Sequence, residues 1–100
     1  MKQALRALLP KQQLSLTEDQ LDTFERFGKL LLEKNQVMNL TAITEPEKVA
    51  ELHFFDSLAL LNAASFQGKR VIDIGCGAGF PGVPLKIAEP TVKLTLLDSL

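Results

Sequence analysis

The spacing of apolar residues predicts two helices at the start of the chain. Residues 2–9 have helical composition, and Pro10 should end that helix because proline lacks the N–H that a helix interior uses. Apolar positions then recur at helical spacing over residues 21–32, which predicts a second, longer helix that frays near Asn35. Gly28 lies on this apolar stripe, so we expect close packing against it.

Two capping-box patterns mark where helices should begin. Thr17 is followed three residues later by Gln20, and Thr44 is followed by Glu47 at the same spacing. In each pair the first side chain can accept a hydrogen bond from the backbone of the second residue, and the second side chain can return one. The pairs predict helix starts after residues 17 and 44, the later helix running to about residue 54.

The pattern changes in the last third of the chain. Asp56 or Ser57 can cap a further short helix over residues 58–64. After a turn, the predicted elements are a β-branched strand over residues 70–74, a crossover helix over residues 81–88 and a second strand over residues 92–97.

Helices first and a β–α–β unit second predict an α/β protein. We assign residues 1–66 to an N-terminal helical cap and residues 67–100 to the beginning of a Rossmann-like parallel sheet. A doubly wound sheet usually needs about five to seven strands. We therefore expect these 100 residues to be the N-terminal portion of a longer protein.

A glycine-rich turn directly after the first predicted strand carries the chemistry. Gly75, Gly77, Gly79 and Gly82 fall within eight residues, in the segment VIDIGCGAGFPG. Glycine lets a backbone approach a ligand closely or adopt positive φ without steric cost. A dinucleotide fingerprint needs glycine at the sixth position, where Phe80 stands, and the Gly-Lys-Ser/Thr ending of a phosphate-binding P-loop is absent.

Two acids flank this turn and indicate the kind of cofactor. The carboxylate of Asp73, inside the strand, would repel a pyrophosphate but favour the cationic end of S-adenosylmethionine. Asp98 follows about 20 residues after the loop, at a strand end where an acid of a Rossmann-like fold binds ribose hydroxyls. Together they favour a methyl donor over NAD, with a purely structural turn as the alternative.

Cys76 and His53 are the other reactive side chains. Cys76, the only cysteine, has no basic neighbour in sequence, so we interpret it as a small loop residue, and it fits a reducing compartment. His53 shares a helical face with Asp56. A helix-terminal hydrogen bond is the favoured role of His53, with substrate contact or bracing of the cofactor loop as alternatives. A lone histidine without further ligands predicts no metal site.

Charge and hydropathy argue against two function classes. The formal net charge of −1 gives no global basic field, which argues against a purely electrostatic RNA binder but not against a local basic patch. No apolar run approaches the roughly 18 residues of a membrane span.

Four segments resemble one family. They are NLTAIT at residues 39–44, HFFDSLAL at residues 53–60, DIGCGAGFPGVPL at residues 73–85 and TLLDSL at residues 95–100. The glycine loop alone would match many methyltransferases, but its FPG extension and the two upstream segments at this spacing are far more specific. The chain, from about Leu14 onward, resembles the small-subunit ribosomal RNA guanine-N7 methyltransferases, also called glucose-inhibited division protein B.

The resemblance implies a class I methyltransferase fold with a helical cap. It further implies methyl transfer from S-adenosylmethionine to N7 of one guanine in 16S rRNA, on the small ribosomal subunit in the bacterial cytoplasm. Gly75 and Phe80 match cofactor contacts of the family, and Gly77, Gly79 and Asp98 follow from the general methyltransferase pattern.

Three residues of the H-x-x-D-S segment, His53, Asp56 and Ser57, are candidate substrate contacts. We nominate no general base, and we expect a monomer. Two other functions remain open at this point: an NAD- or nucleotide-binding oxidoreductase module, against which Phe80 argues, and a non-enzymatic fragment whose helical cap is an interaction surface.

Overall fold

Helices make up the first part of the chain, and a two-stranded parallel sheet with one crossover helix makes up the second. This is a computed structural model, and it describes residues 1–74, 80 and 82–97. The order of elements confirms the predicted α/β class. The domain boundary after residue 66 stays a prediction, and the two parts pack against each other.

The first helix, α1 (Lys2–Leu8), is followed directly by a 3-10 turn, Leu9–Gln12. The predicted α-helix over residues 2–9 is confirmed to within one residue, and it ends before Pro10 as predicted, although a 3-10 turn continues the chain. Pro10 lies at the start of the 3-10 turn, where its missing N–H costs no hydrogen bond. The chain leaves the helical region at Gln13, which adopts a left-handed conformation with φ of 56°.

The long helix α2 (Glu18–Met38) begins as predicted. The N–H of Gln20 donates to Thr17 Oγ1 at 3.1 Å, and the N–H of Thr17 donates to Gln20 Oε1 at 2.8 Å. Both halves of the capping box are thus formed, which satisfies two backbone donors at the helix start.

The same helix runs one turn further than predicted and ends at Met38, with Asn39 in the left-handed conformation. Asn35 does not fray. It is buried, and its side-chain Oδ1 accepts a hydrogen bond of 2.7 Å from the N–H of Thr41. This side-chain hydrogen bond to the segment after the helix holds the last turn in place, and helix propensities alone do not predict it.

A third helical region is continuous from residue 46 to residue 62. Its parts are the short helix α3 (Pro46–Lys48), a π-helical segment (Val49–Phe55), the short helix α4 (Asp56–Leu58) and a 3-10 turn (Ala59–Asn62).

Both caps predicted for this region were wrong. The N-cap is Glu45, without a side-chain hydrogen bond, because the following Pro46 forces Glu45 into an extended conformation and moves the start past Thr44. Helix α4 continues the preceding segment without a capped start, because Asp56 keeps helical torsions. The Ser57 hydroxyl donates to His53 O at 2.6 Å, four residues back, rather than capping a new start.

The core lies between these helices. Its buried residues are Leu5, Leu9, Leu21, Phe24, Leu31, Val49, Ala50, Phe54 and Leu58. Gly28 is buried on α2 as predicted, and a Cβ there would lie 1.8 Å from Met1 Sδ and 3.4 Å from Phe54 Cε2. A larger residue at this position would have to displace the Met1 side chain.

The second part consists of β1 (Arg70–Ile74), α5 (Gly82–Ala88) and β2 (Lys93–Leu97). The predicted first strand is confirmed at both ends, and the other two elements match within one residue, with Pro81 outside the described residues. The strands pair in parallel with Ile74 opposite Leu97. Ile72 and Ile74 are 61% and 78% exposed on the opposite side of β1 from Asp73, which faces α5.

Helix α2 contacts both ends of α5. Near its start, Gln20 Nε2 donates to Ile87 O at 3.2 Å and to Ala88 O at 3.0 Å, so one side chain caps two carbonyls at the end of α5. Two residues before the start of α5, the ring of Phe80 packs against that of Phe27, with centroids 5.7 Å apart. These contacts fix the β–α–β unit on the helices.

Candidate cofactor site at the end of the first strand

The carboxyl ends of the two parallel strands lie side by side, because Ile74 pairs with Leu97. This edge is where open α/β sheets bind ligands. In the sequence, the glycine segment follows Ile74 directly and Asp98 follows Leu97 directly. Five candidates fall outside the described residues: Gly75, Cys76, Gly77, Gly79 and Asp98. Their roles stay predictions.

Asp73 joins the first strand to the crossover helix. Its Oδ2 accepts a hydrogen bond of 2.9 Å from the N–H of Gly82, the first residue of α5. A Cβ at Gly82 would lie 2.9 Å from this oxygen and 2.9 Å from Leu94 Cδ1. Glycine at this position therefore lets helix, strand and carboxylate approach one another closely. The sequence indicated the charge of Asp73 but did not reveal this hydrogen bond.

Phe80 turns its side chain towards the helical cap. Its ring centroid lies 5.7 Å from that of Phe27, 5.9 Å from that of Phe54 and 4.3 Å from that of His53. The His53 and Phe80 rings are nearly parallel, at 7°. Phe80 stands where a dinucleotide fingerprint has its sixth glycine. Its ring instead anchors this part of the chain to the helical cap.

His53 makes its hydrogen bond with a residue that the sequence analysis did not select. Its Nε2 lies 2.8 Å from Oγ1 of Thr41, and that oxygen also accepts a hydrogen bond of 3.1 Å from the N–H of Ile43. Burial lowers the pKa of His53 below its ordinary value of 6.5, while the nearby Asp56 carboxylate raises it less strongly. The neutral imidazole is therefore favoured at neutral pH.

The other two residues of the H-x-x-D-S segment have different surroundings. Asp56 is exposed. Ser57 is 6% exposed, and its hydroxyl donates to His53 O inside the helix. The three residues therefore do not form one shared surface. Their role as substrate contacts stays a prediction.

Sequence reasoning missed three residues that hold this region: Gln20 as an interface donor, Phe27 and Thr41. Phe27 was accessible from the sequence, since it lies three residues after Phe24 and four before Leu31 on the apolar face of α2. Gln20 was recognised only as half of a capping box. Nothing in the local pattern pairs Thr41 with a histidine twelve residues later.

Within residues 1–74, 80 and 82–97, no group of three or more His, Cys, Asp and Glu side chains could hold a metal ion. Among the same residues, no helix combines the length and apolar character that crossing a membrane requires.

The comparison with known proteins decides the family. A family model described as rRNA small subunit methyltransferase G (GidB) matches residues 20–100. The chain belongs to this family. The match confirms the resemblance carried by the NLT, H-x-x-D-S and glycine-loop segments. Methyltransferases of this family need a methyl donor, and residues 71–82 lie inside the matched region.

Curated relatives support the same assignment. The protein named ribosomal RNA small subunit methyltransferase G from Desulfitobacterium hafniense is 51% identical over 100 residues, covering 98% of this chain and 41% of the relative. Its namesake from Caldanaerobacter subterraneus is 57% identical over 77 residues, covering 76% and 32%. That from Lachnoclostridium phytofermentans is 50% identical over 88 residues, covering 87% and 36%. The chain thus spans between 32% and 41% of the length of these relatives.

Proposed function

We propose that the full-length protein containing this chain is an S-adenosylmethionine-dependent methyltransferase that modifies N7 of one guanine in 16S rRNA. The observation that carries the proposal is the family match over residues 20–100, which includes the glycine segment. The protein would act as a monomer on the small ribosomal subunit in the bacterial cytoplasm.

The described residues fit a sulfonium cofactor. Asp73 carries its carboxylate on β1 close to the strand's carboxyl end, and the charge of this group favours a cation over a pyrophosphate. The parallel register supports a ligand edge next to Ile74 and Leu97. At that edge, Gly75, Gly77, Gly79 and Phe80 would hold the cofactor, and Asp98 would bind its ribose.

When bound, S-adenosylmethionine supplies a methyl group on a positively charged sulfur. The N7 atom of guanine is a lone-pair nucleophile with no proton to remove, so the chain needs no general base. Its task is alignment of the guanine with the methyl group. The contacts of His53 are consistent with the absence of a general base. The only histidine of the chain is hydrogen-bonded to Thr41 and packed on Phe80.

Mapping of N7-methylguanine in 16S rRNA tests the proposal. Reverse transcription after cleavage at N7-methylguanine should give a stop in RNA from the parent strain. The stop should disappear when the gene is deleted and return when the gene is restored. Persistence of every N7-methylguanine in the deletion strain would contradict the proposed activity.

Competition for the purified full-length protein tests the cofactor separately. S-adenosylhomocysteine should displace bound S-adenosylmethionine, whereas NADH should not. Displacement by NADH alone would favour the oxidoreductase alternative that the glycine motif leaves open. A protein that binds neither, yet captures a partner protein, would favour an interaction module.

A further inference from the structure

The tightest aromatic contact of the cluster joins the histidine to Phe80. The His53 ring lies 4.3 Å from the Phe80 ring at 7°, whereas Phe27 and Phe54 meet Phe80 at 5.7 and 5.9 Å with tilts of 49° and 42°. Two phenylalanines therefore surround Phe80 at an angle, and His53 alone of these rings lies flat against it. The flat contact restrains the plane of the Phe80 ring.

A hydrogen bond sets the orientation of the imidazole. Thr41 Oγ1 lies 2.8 Å from His53 Nε2. Thr41 is itself held at two further points, because its N–H donates to Asn35 Oδ1 at 2.7 Å and its Oγ1 accepts from the N–H of Ile43 at 3.1 Å. Rotation of the imidazole would break a bond to an already restrained hydroxyl. A continuous series of contacts thus runs from α2 through Thr41 and His53 to Phe80.

The position of His53 in the chain fits such a role. It lies in the π-helical segment Val49–Phe55, and π-helical turns are found frequently at functional sites. Phe80 directly follows Gly79 in the glycine segment. Because the Phe80 ring packs towards the cap, its contacts there restrain the placement of its own main chain.

We infer that His53 is a positioning residue: its imidazole, oriented by Thr41, fixes the Phe80 ring and thereby sets the glycine segment for cofactor binding. The inference rests on the proposed function, since it assigns the cofactor to that segment. Under this inference the helical cap supports cofactor binding through His53. His53 does not need to contact the guanine.

Paired substitutions in the full-length protein test the inference. Thr41→Val keeps the shape but removes the hydroxyl, and Thr41→Ser keeps the hydroxyl and serves as its control. We expect Thr41→Val to weaken S-adenosylmethionine binding by about 2- to 10-fold, the range set by one neutral hydrogen bond, and Thr41→Ser to bind within about 2-fold of the parent protein. His53→Phe, which keeps a ring but lacks Nε2, should weaken binding to a similar extent.

A double-mutant cycle separates positioning from general loss of structure. His53→Leu and Phe80→Leu should each weaken S-adenosylmethionine binding. If the two residues act together, the fold-loss of affinity in the double variant should be smaller than the product of the two single fold-losses. Leu52→Ala, next to His53 and exposed, should leave the affinity unchanged. Equal effects from Leu52→Ala, or fully multiplicative effects of the two leucine variants, would overturn the inference.

Hydrogen exchange over residues 71–82 gives a readout that does not depend on the cofactor. Thr41→Val and His53→Phe should raise the exchange rate of these amides, while Thr41→Ser and Leu52→Ala should not. If the parent protein binds no S-adenosylmethionine but the exchange rates differ as expected, the proposed function fails, while the restraint that His53 places on residues 71–82 is still supported. If the parent protein binds the cofactor and neither affinity nor exchange changes, the positioning role is wrong.

Discussion

The helical part and the β–α–β part of this chain differ in how they use apolar residues. The helices bury nine hydrophobic side chains in one cluster, including Phe54 at 0% exposure. In the β–α–β part, the buried apolar side chains among the described residues are Pro84, Leu85 and Val92, and Ile74 is 78% exposed. The packing that resists unfolding is thus concentrated in the helices.

The residues predicted to bind the cofactor show the opposite distribution. Asp73, the glycine segment and Asp98 belong to the β–α–β part, and the helices contribute contacts that hold it. Gln20 caps the end of α5, and the ring cluster around Phe80 lies near its start. The β–α–β part that carries the candidate site has few buried side chains of its own, and it packs against helices that have a larger core. The predictions below test this division.

The largest effect should come from the centre of the helical core. Phe54→Ala removes a fully buried ring that contacts Phe24 at 5.0 Å and Phe27 at 5.6 Å between centroids, and should lower the free energy of unfolding by about 3 to 5 kcal/mol. Val37→Ala, at a position that is 83% exposed, should change it by less than about 0.5 kcal/mol. Urea denaturation measures both, and similar losses would remove the contrast between core and surface.

Asp73 should show two separable roles. Asp73→Ala leaves the buried N–H of Gly82 without its acceptor and should lower the free energy of unfolding by about 1 to 3 kcal/mol. Asp73→Asn retains an acceptor and should lose less. Under the proposed function, both variants should weaken S-adenosylmethionine binding, because both remove the charge. If Asp73→Asn binds as tightly as the parent protein, Asp73 acts only as a link to α5.

Gln20 tests the contact between the two parts. Gln20→Glu keeps the acceptor for the N–H of Thr17 but lacks the amide donor for the carbonyls of Ile87 and Ala88, so it should lower the free energy of unfolding by about 0.5 to 1.5 kcal/mol. Gln20→Ala loses both sets of hydrogen bonds and should lower it further. Thermal unfolding of the three proteins compares them, and a Gln20→Glu variant as stable as the parent would show that the interface bond contributes nothing.

The smallest effect should be a dependence of stability on pH that His53 produces. Burial lowers its pKa in the folded state, so the unfolded state takes up a proton first as the pH falls below 6.5. The contribution of neutral His53 to the free energy of unfolding is complete above pH 6.5. It decreases as the pH falls, by less than about 1.4 kcal/mol per pH unit, until the pH is below the pKa of His53 in the folded state. The parent protein should therefore lose more stability than His53→Phe between pH 7.5 and pH 5.

The carboxylates of Glu18 and Asp22 do not interfere in that window. Hydrogen bonds to Lys2 lower the pKa of each below ordinary values of 4.5 and 3.8, so their contributions are lost only at more acidic pH. Identical pH profiles for the parent protein and His53→Phe between pH 7.5 and pH 5 would contradict the role assigned to burial.

Local signals predicted the elements that local physics controls. The Thr17–Gln20 capping box and the β-branched strand at residues 70–74 need only neighbouring residues, and both appear as predicted. The start of α3 was misplaced by one residue because the effect of Pro46 on Glu45 outweighed the capping pattern at Thr44.

Side-chain contacts between different segments account for the remaining differences. The extension of α2 depends on Asn35 reaching Thr41, and the surroundings of His53 depend on Thr41 and Phe80. The sequence did suggest bracing of the cofactor loop as one role of His53, but it could not identify the ring that His53 contacts. Composition and spacing carry no information about which side chains from separate elements meet.

Titration calorimetry of S-adenosylmethionine into the full-length protein and its Gly75→Asp variant tests the central claim most directly. The account predicts saturable one-site binding by the parent protein. It predicts loss of that binding in the variant, with the thermal unfolding transition of the helical core retained, since a side chain and a negative charge would enter the proposed cofactor loop while the nine-residue core cluster is untouched. Absence of binding by the parent protein, or equal binding by the variant, would contradict the account.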